Sequence, residues 1–230
     1  GKQHLADWFN AHLELKESIE QRQEAIRELS TDLEYRQQIR LFGLLYKGKP
    51  ADTNEIREWA GSPSYYRKHT LLRIIPTVVS IINLICIGSA IVGILPATVP
   101  GGVFFCFVIF SSIFSKGITK LQATYGKKLQ ILSTYADQIL LTEKKEMNSP
   151  VLQQLKLTSQ NQTASQAVRQ LSKLMNALDQ RSNLLMSTIL NGLIFWELRQ
   201  VMRIEKWKET HASDLPRWIE TIGEIDAYCS

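Results

Sequence analysis

Two long apolar runs follow one another in the middle of the chain. Residues 71–95 and 99–114 are almost wholly apolar, and only residues 96–98 separate them. The first run contains one charged residue, Arg73, and is long enough for the roughly 20 residues that cross a hydrocarbon core about 30 Å thick. The second run is shorter and ends before a lysine whose aliphatic stem can extend its reach. The pattern predicts a transmembrane hairpin over residues 71–115.

Elsewhere the apolar residues recur at helical spacing, three or four positions apart, on charged or polar sequence. A capping box at Asp52 and an N-cap at Ser62 mark two helix starts, and the second helix is expected to run directly into the membrane. After the second apolar run, further helices are expected to start at Val151 and near Ser213, and a helix between them is predicted by the apolar spacing of Val168, Leu171, Leu174, Met175 and Leu178. The fold class predicted is all-α, a helical core with long lever or coiled-coil helices interrupted by the two-helix transmembrane hairpin. The N-terminal stripe comprises Leu5, Trp8, Phe9, Leu13, Ile19, Ile26, Leu29 and Leu33.

A heptad pattern follows the second apolar run. Apolar and aromatic residues occupy its a and d positions, with Lys128 breaking one d position, and the pattern extends to about Met147. We therefore expect the second span to continue as a stalk, about 70 Å long from Gly102 to Met147 at 1.5 Å per residue. The seam of this stalk is predicted at Ile118, Leu121, Tyr125 and Leu132.

A third apolar segment covers residues 184–196. Polar side chains interrupt it at Ser187, Thr188 and Asn191, and Glu197 closes it. The segment is too short to cross a bilayer. We expect it to form a buried core helix rather than a third span.

The distribution of charge supports the hairpin. Residues 1–70 and 131–230 each carry equal numbers of basic and acidic residues, so the net charge of +5 lies within residues 71–130. Basic residues flank the hairpin, whereas the segment between the two runs is uncharged, so the positive-inside rule places both termini in the cytoplasm and the chain in the cytoplasmic membrane. The alternative is a helical hairpin buried in a large soluble core. The orientation charges are Arg67, Lys68, Arg73, Lys116 and Lys120.

Residues typical of catalytic or metal sites are scattered along the chain. Neither a GxxxxGK run followed by Ser or Thr nor a GxGxxG run occurs, so the sequence offers no phosphate-binding loop. The histidines and cysteines lack the spacing of a zinc site or a disulfide framework, so we expect surface or cap histidines and reduced thiols. We assign no catalytic, cofactor-binding or metal-binding residue to the chain. The residues concerned are His4, His12, His69, His211, Cys86, Cys106 and Cys229.

Both ends of the chain carry motifs of one known family. The N-terminal stretch reads Gly1-x-x-x-Leu5-x-x-Trp8-Phe9, followed by Arg22-Gln23 in an amphipathic helix, and the C-terminal stretch contains Glu224-Ile225-Asp226-Ala227. In this order the motifs resemble the core and lever domain of the MutS family of DNA mismatch repair ATPases. The resemblance covers mainly residues 1–33 and 196–230, and the residues that carry it are Gly1, Leu5, Trp8, Arg22, Gln23, Glu224 and Asp226.

The resemblance implies how the chain is organised. In the family, a DNA-gripping clamp is inserted between two lever helices, and the hairpin occupies the corresponding place here. The implied segments are the N-terminal part of the helical core and first lever (1–70), the transmembrane hairpin (71–115), the returning lever helix (116–147) and the C-terminal part of the core (148–230), which ends before an ATPase domain.

The resemblance also implies what a longer parent protein would contain. A mismatch-reading domain would precede Gly1 and a P-loop ATPase would follow Ser230, so ATP and Mg²⁺ would bind outside this chain. The expected partners are the lipid bilayer and a second identical subunit held through the ATPase domain. DNA binding by the parent follows from the family, but we expect it to be weak or absent here because the soluble segments lack a basic excess. The alternative is a membrane-tethered coiled-coil scaffold that binds a protein partner and has no ATPase or DNA role.

Overall fold

The computed structural model describes residues 5–6, 8, 16–45, 50–156, 163–179 and 183–229, without the side chains of residues 45, 50–53, 124–125, 127–131 and 133–134. All regular secondary structure in these ranges is α-helical, which confirms the all-α prediction. The helices are α1 (Lys16–Ser30), α2 (Leu33–Leu45), α3 (Pro50–Gly61), α4 (Thr70–Ile91), α5 (Thr98–Lys144), α6 (Pro150–Gln154), α7 (Ala164–Asp179), α8 (Leu184–Ile194), α9 (Trp196–His211) and α10 (Leu215–Cys229).

The chain forms two compact units, and neither is continuous in sequence. The first unit comprises Gly1–Ala60, Gln130–Ser172 and His211–Ser230, and the second comprises Gly61–Leu129 and Lys173–Thr210. The second unit therefore contains α4, the first part of α5, α8 and nearly all of α9. Residues 173–210 lie in the unit that contains the hairpin helices.

The core of the first unit forms where α1, α2, α6 and α10 pack together. Leu29, Ile39 and Ile225 are fully buried there. Two polar side chains of the unit bond to backbone carbonyls: the buried Gln138 amide donates to the Ile39 carbonyl at 3.1 Å, and the half-buried Arg36 guanidinium donates to the Cys229 carbonyl at 3.1 Å. These bonds tie α2 to both α5 and α10.

The predicted N-terminal stripe is wrong in part. Helix α1 ends at Ser30, and the Asp32 carboxylate then caps α2 by accepting the backbone N–H of Tyr35 at 3.0 Å. This break resets the helical phase, so one continuous stripe cannot face the core. Leu29 is buried, whereas the exposed residues are Ile19, Ile26 and Leu33; Phe9 and Leu13 lie outside the described residues.

Three predicted helices after the stalk are confirmed. Ser149 caps α6, its hydroxyl accepting the Leu152 backbone N–H at 3.4 Å. Helices α7 and α10 each bury one face, as their apolar spacing indicates. The buried residues on these faces are Val168, Leu171, Met175 and Leu178 on α7 and Trp218, Ile222 and Ile225 on α10.

The predicted stalk is a single helix. Helix α5 runs without interruption for 47 residues, from the hairpin turn to Lys144. Of the predicted seam, Ile118 and Leu132 are buried and Leu121 is half-buried, while the side chain of Tyr125 lies outside the description. The buried seam positions therefore pack within this chain.

The approach to the hairpin differs from its prediction. Helix α3 begins at Pro50, before the expected start at Asp52, and residues 62–69 form turns rather than a helix that starts at Ser62. The predicted run of one helix from Ser62 into the membrane is therefore wrong. The cause is a long-range contact: the Glu205 carboxylate on α9 accepts the backbone N–H groups of residues 65–67.

Candidate functional site

The hairpin helices are apolar and exposed. The segments Thr70–Ile91 of α4 and Thr98–Ala123 of α5 are both long and apolar enough to cross a membrane. Only 17 % of the most apolar window of α4 and 0 % of that of α5 is buried, whereas a core helix of a soluble protein is mostly buried. This exposure goes against a hairpin enclosed in a soluble core. Strongly exposed side chains include Leu71, Leu84, Ile85, Ile91, Phe105, Ile109 and Ile113.

Asn83 is the buried polar residue within α4. Its amide donates to the carbonyls of Gly192 and Leu193 at 3.0 and 3.1 Å, and to the Val79 carbonyl at 3.1 Å. The first two carbonyls belong to the last turn of α8, where helical partners are absent by geometry. Asn83 therefore joins α4 to the end of α8 by satisfying groups that would otherwise be costly to bury.

Arg199 makes a second link to α4. Its guanidinium donates to the Pro76 carbonyl at 2.7 Å, to the Ser80 hydroxyl at 2.8 Å and to the Ile194 carbonyl at 2.8 Å. The planar guanidinium can serve several acceptors at once, which suits a junction of three segments. Neither Arg199 nor Asn83 is among the residues predicted from the sequence, although an amide inside an apolar run is a recognisable signal.

The break between α8 and α9 is built around Glu197. The chain turns at Phe195, whose φ of 52° lies in the left-handed region. The Glu197 carboxylate accepts the hydroxyls of Ser115 and Ser187 at 3.1 and 2.9 Å, and its backbone N–H donates to the Asn191 side chain at 3.0 Å. The acid therefore connects α9 with both α5 and α8.

Glu205 holds the segment that precedes α4. One carboxylate oxygen accepts the backbone N–H groups of Tyr65 and Tyr66 at 2.8 and 3.1 Å, and the other accepts that of Arg67 at 2.7 Å. Lys208 lies next to it and donates to the Ser62 carbonyl at 2.8 Å, and burial lowers the pKa of its ammonium group. These bonds fix the backbone immediately before the start of α4.

The predicted orientation charges lie at the base of the hairpin, the end at which α4 begins and the apolar part of α5 stops. Arg67 is half-buried and forms an ion pair with Glu209 at 2.8 Å, so its charge is balanced locally. The side chains of Lys68, Arg73, Lys116 and Lys120 are exposed. The structure thus places four exposed basic residues at the base of the hairpin.

Helix α8 differs from its prediction. The sequence predicts a buried core helix over residues 184–196, but the exposed fractions of Leu184 and Leu185 are both 79 %. Only the end of α8 is buried, at Asn191 and Gly192. Gly192 lies so close to Phe104 of α5 that an added Cβ would overlap the ring.

The described residues that carry the family resemblance lie in the first unit. The rings of Trp8 and Tyr228 are 4.6 Å apart, and the Arg22 guanidinium lies 4.4 Å from the centre of the Trp8 ring. Burial raises the pKa of Tyr228, opposed by Arg22. Thus two segments from opposite ends of the chain share one core. Leu5, Glu224 and Asp226 are half-buried, Gln23 is exposed and Gly1 lies outside the described residues.

The histidines and cysteines require one correction. His211 is buried against Trp218, with ring centres 5.7 Å apart, rather than at the surface as expected, and burial lowers its pKa. Cys229 is also buried, which raises the pKa of its thiol to about 12. Among the described residues, no group of three or more His, Cys, Asp or Glu side chains is placed to hold a metal ion.

No family model, no curated protein and no solved structure matches the chain.

We predict that replacing Glu205 loosens the entry to α4. In Glu205→Ala, the three amides of residues 65–67 lose their acceptor, and hydrogen bonds to a charged group contribute about 1.5–3 kcal/mol each. Hydrogen exchange in peptides covering residues 63–68 should accelerate by about tenfold or more.

The matched control is Glu209→Ala, which removes only the ion pair to Arg67 at the surface and should change exchange little. Equal exchange in the two variants would show that Glu205 does not hold this segment.

Proposed function

We propose that this chain is the membrane-anchored core and lever region of a MutS-like ATPase. The hairpin of α4 and α5 inserts into the cytoplasmic membrane with both termini on the cytoplasmic side. The chain itself is not catalytic and couples a downstream ATPase to the bilayer or to a partner there. The observation that carries the proposal is the exposed apolar surface of the hairpin, together with the basic residues at its base.

Lipid suits this surface better than water does. Exposed apolar patches on soluble monomers are limited in size, and larger ones mark interfaces with membranes or proteins. The exposed apolar side chains extend along α4 from Leu71 to Ile91 and along the apolar part of α5 from Phe105 to Ile113, and Lys68, Arg73, Lys116 and Lys120 gather at one end only. This is the charge asymmetry of a hairpin that enters from the cytoplasm.

The packing of the first unit supports the MutS-like part of the proposal. The segments with the family motifs lie at opposite ends of the chain, yet Trp8 and Arg22 contact Tyr228, and α10 packs on α1 and α2. The core and lever domain of the family requires such a meeting, because its levers leave and return to one core. The resemblance and the packing are independent of each other.

Helix α5 suits the role of a lever. It is one helix from Thr98 to Lys144, so its first part belongs to the unit with the hairpin and its last part to the unit with the motif residues. A continuous helix transmits displacement along its axis, because its backbone hydrogen bonds make it stiff. The coiled-coil scaffold is less well supported, since Ile118 and Leu132 are buried within the chain and are not offered to a partner.

The topology can be tested by cysteine labelling in cells that express the chain. Cys86 and Cys106 are replaced by alanine, while Cys229 stays, because its buried thiol with a pKa of about 12 reacts slowly. In this background Ala97→Cys should react with a membrane-impermeant maleimide from outside, because residue 97 lies in the exposed hairpin turn.

Glu146→Cys serves as the matched control, since Glu146 is also exposed but lies beyond the end of α5. It should react only after the membrane is permeabilised. Labelling of residue 146 in intact cells, or of neither residue, would contradict the proposed orientation.

The chain should bind DNA weakly and without preference for mismatches. Both soluble segments are charge-balanced, and some basic side chains in the first unit form ion pairs, for example Arg169 with Asp137 at 2.7 Å. Affinity for matched and mismatched duplexes can be compared at about 150 mM salt, where surface electrostatics are strongly screened. Tight binding with a mismatch preference would show that the levers themselves read DNA.

A further inference from the structure

Helix α8 carries an apolar face that the hairpin proposal does not use. The exposed fractions along this face are 79 % for Leu184, 79 % for Leu185, 50 % for Met186 and 48 % for Ile189. No charged residue occurs between residues 183 and 196. We propose that α8 is a re-entrant membrane element, which enters the cytoplasmic leaflet beside α4 and contacts lipid acyl chains with its outer face. The inference rests on the proposed insertion of the hairpin.

Hydrogen bonds to α4 and to the segment before it show the direction in which residues 192–205 run along α4. Gly192 lies opposite Asn83, Arg199 lies opposite Pro76 and Ser80, and Glu205 lies opposite residues 65–67. The chain therefore descends along α4, towards its basic end, from residue 192 to residue 205.

The preceding helix must run the other way. The Ser187 hydroxyl donates to the Glu197 carboxylate at 2.9 Å, although ten residues separate them along the chain. A straight continuation would place these two residues about 15 Å apart. Helix α8 is therefore folded back against the start of α9, so that it rises along α4 before α9 returns.

The dimensions match half of a bilayer. Asn83 follows the exposed Arg73 by ten residues, which corresponds to about 15 Å of helix, and this is about half of a hydrocarbon core about 30 Å thick. Helix α8 has 11 residues and is therefore about 16 Å long. Its end at Asn83 accordingly lies near the midplane, and its start at Leu184 lies near the level of Arg73.

The turn between α8 and α9, which the proposal puts near the bilayer midplane, has its backbone groups hydrogen-bonded within the protein. Irregular backbone is tolerated at membrane depth only where protein groups satisfy it. The Asn83 amide donates to the carbonyls of Gly192 and Leu193, and the Arg199 guanidinium donates to that of Ile194. The Asn191 side-chain oxygen accepts the backbone N–H of Glu197. The Phe195 ring, at this turn, packs against three rings of α5: its centre lies 5.8 to 6.4 Å from the ring centres of Phe107, Phe110 and Phe114.

The orientation of side chains on α8 identifies lipid as the occupant of its outer face. Asn191 is buried and Ser187 is half-buried, and both bond inward to Glu197, while the large aliphatic residues point outward. This is the reverse of a soluble surface helix. The exposed Thr188 hydroxyl donates to the Leu184 carbonyl at 2.7 Å, so it does not require water. The face is also of the same composition as the exposed faces of α4 and α5.

Spin-label accessibility can test the proposal on the full chain. The chain is reconstituted in vesicles of phosphatidylcholine and phosphatidylglycerol, with Cys86 and Cys106 replaced by alanine. Single labels are placed at Leu185→Cys and Ile189→Cys on α8, at Phe105→Cys on α5 as the lipid reference, and at Lys206→Cys on α9 as the aqueous reference. The probes are molecular oxygen, which concentrates in the bilayer, and a nickel–EDDA complex, which stays in water.

Labels at residues 185 and 189 should shift to the oxygen-to-nickel ratio of the Phe105→Cys label, with residue 189 deeper than residue 185. Ratios equal to that of Lys206→Cys, with Phe105→Cys still in lipid, would overturn the re-entrant assignment and leave the hairpin intact. Low accessibility to both probes would mean that protein covers α8 and would also overturn it. An aqueous ratio at Phe105→Cys would overturn the hairpin itself and with it this inference.

Discussion

Water covers the outer faces of α4 and α5 only at a large free-energy cost, because these faces expose aliphatic and aromatic side chains along both helices. That constraint organises the second unit. The polar side chains of Asn83, Glu197 and Arg199 turn inward and bond to neighbouring backbone and side chains. Helices α8 and α9 carry the groups that form these bonds with α4 and α5.

The same constraint explains why, within the second unit, the hairpin is joined to α8 and α9 through directional contacts. Apolar packing does not discriminate strongly between lipid and protein inside a bilayer, so helices there associate through small residues and hydrogen bonds. Gly192 allows the close approach of Phe104, and Glu205 fixes the backbone where α4 enters. A displacement of α9 would therefore act on α4 through a few defined bonds.

The sequence was informative wherever one local pattern decided the outcome. The two apolar runs, the unbroken α5 and the buried faces of α7 and α10 follow from spacing alone, and all were predicted. The start of α4 was not predictable in this way, because Glu205 lies 138 residues from Arg67 along the chain. Local capping signals at Ser62 favoured a helix, but a distant carboxylate took the backbone N–H groups.

The other differences have a similar physical origin. The apolar spacing of Ile19, Ile26 and Leu33 indicated a buried stripe, yet the buried face of α1 is centred on Ala25 and Leu29, which leaves Ile19 and Ile26 exposed. The break after Ser30 changes the helical phase before the exposed Leu33. Apolar composition predicted α8 in a core, but composition does not show which apolar helix is covered, and Leu184 and Leu185 are exposed. His211 was expected at the surface, since nothing near it in sequence shows that Trp218 covers it.

The central claim is that the hairpin is embedded in lipid, and alkaline carbonate extraction of membranes from cells that express the chain tests it most directly. Carbonate at high pH releases proteins that are held to membranes by charge, but it does not release helices that cross the hydrocarbon core. The account predicts that the chain remains in the membrane pellet and leaves it only with detergent. Release of the chain into the carbonate supernatant would contradict the account.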